Sequence, residues 1–335
     1  MSESVPLPPL VFTPLLKRIR WGGRRLGTVL GKSIGDESDY AESWEIANQP
    51  EHDSVVAAGP LRGITLSELM VAGGESLLGR QCQLSQFPLL IKFLDANDWL
   101  SLQVHPDDML AREYGAQERG KTECWVILQA DPGARICCGL RRGVTSAELR
   151  RGLESVSSGG DRGELEGLLH MYEVRAGDCV FVPAGTVHAL GRGILLAEIQ
   201  QQSNQTFRLY DWGWVGTDGK PRPIHVADSL HCTNFERGPV NPVVPVELCD
   251  QEHSFEELVR CEYFVVRRHE SLHAFSLTSD DRFRILMTLS GSGLVQTSTG
   301  DEQLLRGGTV LLPACCGRIR IQPRERLQIL EISCP

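Results

Sequence analysis

Apolar residues along this chain come mostly in short runs, broken every few positions by Gly, Pro, Asn or Asp. The runs at residues 89–94, 100–104, 124–128, 179–182, 194–199 and 207–211 have the length of β-strands rather than helices. After residues 238–245, where GPVNPVVP interrupts any regular element, similar runs follow at 263–267, 283–289, 309–312 and 327–332. Many short strands separated by turn residues predict a mainly β fold of the sandwich or barrel kind. Helical patterning is local. Thr65 and Glu68 form a capping box ahead of residues 66–71, and Pro106-Asp107-Asp108 opens 109–114. Thr145 or Ser146 caps 147–155, and 164–172 follows as a second helical stretch, so residues 145–172 are expected to form a small helical insertion.

At 335 residues and 41% hydrophobic content the chain is longer than one core usually supports, and two lobes are expected, 1–240 and 241–335. The formal charge of −9 argues against a nucleic-acid partner, because phosphate backbones reward a basic face. No apolar run approaches the roughly 20 residues of a membrane span, and the first residues lack the basic and apolar regions of a secretory signal. The 11 cysteines are an odd number with no CxxC spacing, which reads as reduced, mostly buried thiols in a cytoplasmic protein rather than a disulfide framework or a cysteine-rich zinc site.

Candidate chemistry concentrates in three strands. In LSLQVHPDD, Gln103 and His105 share one face and Val104 takes the other; in GKTECWVIL, Lys121, Glu123 and Trp125 share a face opposite Cys124 and Val126. A third segment, VPAGTVHALG, places His188 after a proline-glycine turn. Two imidazoles and a carboxylate from three strands suit a divalent metal with open positions, and Gln103 offers a neutral fourth oxygen. Lys121 shares the face of Glu123 and so can reach a metal-bound substrate. Lys92, inside the apolar run LLIKFLD, demands a cavity or a buried partner, and with a cavity there it is a candidate substrate-binding residue. Buried ion pairing is the competing reading for both lysines. Gly22-Gly23, flanked by Arg20, Arg24 and Arg25, reads as a turn in preference to a phosphate contact, and His52, His225, His231, His253, His269 and His273 read as structural or exposed.

FPLLIKFLDANDWLSLQVHPDD (87–108), GKTECWVIL (120–128) and VPAGTVHALGRGILLAEIQQQSNQTFRLYDW (182–212) resemble, in order, the type I phosphomannose isomerases, with weaker likeness in residues 17–27 and 41–47. The resemblance implies a cupin architecture of two jelly-roll barrel lobes, with one Zn2+ per chain in the first. It implies His105, Glu123 and His188 as zinc ligands, Gln103 as a fourth, and Arg208 as the catalytic arginine. Lys121 falls on a position associated with acid/base or substrate-binding work. The activity it implies is interconversion of mannose 6-phosphate and fructose 6-phosphate through an enediol, which needs a proton carrier and a cation at the developing oxyanion. On a regular strand Arg208, Tyr210 and Trp212 would share a face, setting the guanidinium beside aromatic walls. The second lobe reads LLPACCGRIRI where the first has its His188 turn, so it is expected to hold no metal, with Cys315 and Cys316 in its core. A non-catalytic sugar-phosphate-binding cupin and an iron-dependent cupin oxygenase are the alternatives.

Overall fold

A computed structural model describes residues 6–115, 118–215, 220–250 and 252–335, so the first five residues of the expected leader-free start lie outside it. The first part of the chain forms β1 (Leu15–Gly23), β2 (Tyr40–Ile46), the short pair β3 (Asn48–Gln49) and β4 (His52–Asp53), β5 (Leu89–Ala96) and β6 (Leu102–Val104). It continues through β7 (Glu123–Ala130), β8 (Arg135–Leu140), β9 (Leu169–Glu173), β10 (Cys179–Val182), β11 (His188–Leu190), β12 (Ile194–Gln201) and β13 (Phe207–Tyr210). These make a six-stranded sheet in the order β1-β2-β5-β12-β7-β10 and a five-stranded sheet in the order β13-β6-β11-β8-β9, all pairs antiparallel. From Val246 onward a second six-stranded sheet, with Val265–Ser271, Leu327–Ser333 and Arg284–Ser290 at its centre, faces a four-stranded one.

Four layers result. Leu94, Trp125, Ile127, Val180 and Leu196 of the first six-stranded sheet meet Ile136, Cys138 and Leu190 of the five-stranded sheet. The opposite faces of those strands, including Ile91, Phe93, Cys124, Val126, Ala197 and Ile199, share a core with Val266, Ile285, Met287, Leu330 and Ile332 of the second six-stranded sheet. The two large sheets therefore pack back to back. Strands β5 and β12 are buried along their whole length, which is why they read as nearly unbroken apolar runs. Lys92 of β5 and Glu198 and Gln200 of β12 point to the inner side, where the first two sheets face each other, while Asp95 and Gln201 alternate to the other face.

Helices cover the outside. Thr65 and Glu68 close a capping box on Leu66–Leu78, Asp107 caps Asp108–Tyr114, and Thr145 with Glu148 caps Ser146–Ser157. The stretch 164–172 departs from expectation: a helix covers only Arg162–Glu166, and Leu169–Glu173 pairs with β8 as an edge strand. Among the described residues no helix is long and apolar enough to cross a membrane. All 11 cysteines are free; Cys82 and Cys249 are exposed, Cys316 packs in the core between the last two sheets, and the Cys315 thiol meets the Leu7 backbone.

Candidate active site and metal centre

The inner faces of the first two sheets carry a polar cluster at one end of their apolar core. Antiparallel pairing sets Trp44 opposite Lys92, Lys92 opposite Glu198, and Glu198 opposite Trp125, one row across the six-stranded sheet. Two residues along β7 from Trp125, on the same face, is Glu123. On the facing sheet a second row runs His188–Gln103–Arg208, again directly opposed across β11, β6 and β13. His105 follows β6 on the face of Gln103. The residues singled out from the sequence thus come together, and the cross-strand register is the reason.

One ligand atom from each of His105, Glu123 and His188 lies within 4.8 Å of the other two, and all three residues are buried. His105 Nε2 is 3.3 Å from Glu123 Oε1, and His188 Nε2 is 3.7 Å from Oε2. Each imidazole has its other nitrogen against a main-chain carbonyl, His105 Nδ1 at 2.8 Å from Gln205 O and His188 Nδ1 at 2.8 Å from Thr186 O. A carbonyl can only accept, so Nδ1 carries the hydrogen and Nε2 presents a lone pair to the centre of the cluster. Burial, reinforced by the Lys121 ammonium, holds the His105 pKa down to about 3, and burial lowers that of His188. Burial alone would raise Glu123, but the Lys121 ammonium beside it overcomes this and keeps the carboxyl well below its usual range. Neither Glu123 oxygen accepts a well-formed hydrogen bond. Two neutral imidazoles and a carboxylate whose Oε2 has no hydrogen-bond partner fit the donor set of a divalent metal site. Gln103 presents its amide nitrogen 3.2 Å from His188 Nε2, so as an oxygen ligand its amide would be turned over.

A cleft of about 460 Å³ opens above this cluster and is lined by Gln103, Lys121, Lys92 and Arg208. Lys121 Nζ lies 2.7 Å from Glu123 Oε1 and 3.3 Å from His105 Nε2. Lys92 has the buried partners its sequence setting demanded, Glu198 at 3.1 Å and Glu42 at 3.6 Å; they outweigh the opposing effect of burial and raise its pKa. Glu198 also accepts from Trp125 Nε1 at 3.1 Å, and burial lifts its carboxyl pKa. The Arg208 guanidinium is half buried, its pKa lowered by burial and by Arg222, and its buried Nε has no partner.

Two expectations fail here. A register shift between Arg208 and Tyr210 sets Tyr210 opposite Leu102, so it faces the outer core rather than the cleft. Trp212 leaves the strand at φ 56°, packs at a tilt against Trp99 and donates to Leu100 O. The aromatic residues that line the cleft are Trp44 and Trp21 instead. Arg20, Arg24 and Arg25 serve the framework: Arg20 pairs with Asp98, Arg24 holds the Gly35 and Glu37 carbonyls, and Arg25 meets Asp131. Sequence reasoning did not single out Lys17, Glu42, Glu198 or Arg222, and left His52 as structural or exposed, yet all five line the cleft. For Glu198 the signal was available, as a charge in the buried run ILLAEIQQ at the same alternation as Lys92 in its own strand.

A family model described as phosphomannose isomerase type I, catalytic domain, matches residues 10–123. The mannose-6-phosphate isomerase of Streptococcus mutans is 35% identical over 305 residues, covering 91% of this chain and 92% of that protein. A mannose-6-phosphate isomerase of Bacillus subtilis is 35% identical over 319 residues, covering 94% and 96%. The crystal structure of the Bacillus subtilis mannose 6-phosphate isomerase superposes with a TM-score of 0.87 at 31% identity, covering 97% of this chain and 99% of that one. Identity at this level along nearly the whole of both chains leaves one conclusion: the chain belongs to the type I phosphomannose isomerases.

Proposed function

We propose that this enzyme interconverts D-mannose 6-phosphate and D-fructose 6-phosphate through an enediol, with one zinc ion per chain held by His105, Glu123 and His188 and with Gln103 as the fourth ligand. The observation that carries the reading is the convergence of two neutral imidazoles and an ionised carboxylate next to a cleft that also holds a guanidinium with no carboxylate partner. When bound, the metal supplies Lewis-acid polarisation of the sugar oxygens. The isomerisation moves one proton from C2 to C1 and one from the C2 hydroxyl to the C1 oxygen, leaving the composition unchanged. Arg208 offers free N–H donors and a charge that does not titrate away at working pH, so it stabilises the oxyanion of the enediol. Lys121, fixed against Glu123, exchanges a proton with the sugar oxygens. Lys92 binds the substrate along the Trp44 side of the cleft, with Glu198 and Glu42 fixing its ammonium. We assign the chemistry to residues 1–240 and a supporting role to 241–335, whose large sheet backs the one carrying Glu123. The 11 unpaired thiols accord with a cytoplasmic site of action.

The test is a coupled assay of zinc-loaded protein on mannose 6-phosphate, with glucose 6-phosphate and other aldose phosphates in parallel and oxygen uptake recorded. Turnover of mannose 6-phosphate well above the others, without oxygen consumption, is expected. No turnover with metal bound contradicts the reading, and oxygen uptake marks the iron-oxygenase chemistry that the same ligand set would suit.

A further inference from the structure

Six basic side chains line the cleft: Lys17, Arg18, Lys92, Lys121, Arg208 and Arg222. Four are already neutralised. Arg18 bridges Glu37 and Asp39 at 2.9 and 2.6 Å, Lys92 meets Glu198, Lys121 meets Glu123, and Arg222 meets Asp211 at 2.5 Å. Among the described residues, Lys17 and Arg208 make no ion pair with a carboxylate. Arg208 stands next to Gln103 in the row that contains His188, at the metal-ligand end. Lys17 is on β1, the edge strand, with three strands between it and β7, which carries Glu123. Both cations lie on edge strands and line the cleft, Arg208 beside Gln103 and Lys17 on the strand of its sheet far from Glu123.

The surroundings of Lys17 orient its ammonium without cancelling its charge. His52, on β4, holds the Lys17 ammonium at 2.9 Å from Nε2 and 3.2 Å from Nδ1; an imidazole accepting from an ammonium is neutral. Trp44 braces both groups, edge-on to His52 at 5.1 Å and 4.8 Å from Lys17 Nζ to the ring centroid. The same indole lies 5.0 Å from Lys92 Nζ, linking the Lys17 end to the centre of the cleft. Glu42, opposite Lys17 in register, is committed elsewhere: it accepts from Trp44 Nε1 at 2.6 Å and lies 3.6 Å from Lys92.

A sugar phosphate with its C1–C2 end at the metal ligands carries its dianion at the far end, where a paired cation would bring a repelling carboxylate with it. We infer that Lys17, positioned by His52 and Trp44, grips the substrate phosphate at the end of the cleft remote from His105, Glu123 and His188. The inference rests on the isomerase reading for the identity of the substrate, and on the cleft alone for the phosphate site.

Two measurements on the full-length, metal-loaded enzyme test it: steady-state kinetics on mannose 6-phosphate, and direct titration with inorganic phosphate followed by 31P NMR. Losing a charge-assisted contact of this kind costs about tenfold or more in affinity. Lys17→Met is expected to raise KM and weaken phosphate binding by about that factor, with the loss falling on KM rather than kcat. Lys17→Arg keeps most of the affinity, and His52→Asn weakens it by a smaller factor because the ammonium remains. Unchanged KM and phosphate affinity in Lys17→Met, or a loss confined to kcat, overturns the assignment. If the wild-type enzyme binds phosphate through Lys17 yet fails to turn over mannose 6-phosphate, the isomerase reading falls and the phosphate site stands.

Discussion

Glu331 provides a quantitative test of how the second pair of sheets supports the first. It is 4% exposed, on the strand Leu327–Ser333, with Arg284 Nε at 2.6 Å, His269 Nε2 at 3.0 Å and Arg267 Nη1 at 3.8 Å. Burial alone would raise its pKa, but His269, Arg284 and Arg267 overcome this and bring it down from 4.5 to about 2. That depression corresponds to about 3 kcal/mol of stability. The folded pKa lies below the unfolded one, so the contribution is complete above pH about 4.5 and is lost as pH falls towards about 2. Glu331→Gln keeps the shape but leaves Arg284 with only Asp280, at 2.9 Å, so a destabilisation of about 3–5 kcal/mol at pH 7 is expected. The gap between the two proteins narrows below pH about 4.5, as the wild type loses the same charge. Urea unfolding at pH 7 and pH 3.5, followed by far-UV circular dichroism and by tryptophan fluorescence, measures this. All six tryptophans lie between Trp21 and Trp214, so fluorescence reports only the first two sheets. Because the large sheets share one core, the fluorescence midpoint of Glu331→Gln should fall with the dichroism midpoint. A gap that stays constant with pH refutes the electrostatic reasoning, and a fluorescence midpoint unmoved by the substitution refutes the mechanical coupling.

Arg208→Ala should lower kcat by about 10²–10³-fold if its free donors stabilise the enediol oxyanion, with the folded spectrum unchanged; full activity in this variant would remove Arg208 from the mechanism. Lys92→Met leaves Glu198 buried without its cation and should cost about 3–5 kcal/mol in denaturant unfolding. Adding Glu198→Gln should recover a substantial part of that loss, and strict additivity of the two would show that the pair is not coupled. Gly23→Ala places a Cβ 2.5 Å from Asp95 Oδ2, whose carboxylate also accepts from the Arg25 amide, so a loss of about 1–3 kcal/mol is expected from thermal or urea unfolding.

Much of the site was legible because buried strands confine polar side chains to one alternating set. Lys92, Glu123 and Glu198 are charges in otherwise apolar runs, and the period of two sends all three to the inner face. Gln103 and His105 follow the same rule on the facing sheet. The likeness of three ordered segments to a known family then added Arg208 and zinc, which alternation alone does not supply. What alternation could not show depends on register or on very short elements. One shifted residue between Arg208 and Tyr210 turned the expected aromatic wall outward. His52 reaches the cleft from a two-residue strand too brief to carry any pattern, and Lys17 sits on an irregular edge strand with two register shifts. The stretch 164–172 carries helix-forming Glu, Leu and Met on both sides of Gly167, yet the helix stops at that glycine and pairing with β8 claims Leu169 onward as strand.

The central claim is that His105, Glu123 and His188 hold the metal on which isomerisation depends. It is tested most directly by stripping the protein with a chelator, adding back zinc, and following metal content and mannose 6-phosphate turnover together. Activity should vanish in the stripped protein and return in proportion to bound zinc up to one ion per chain, with Glu123→Gln failing to rebind the metal. Undiminished turnover in the metal-free protein, or full metal binding by Glu123→Gln, would contradict the account.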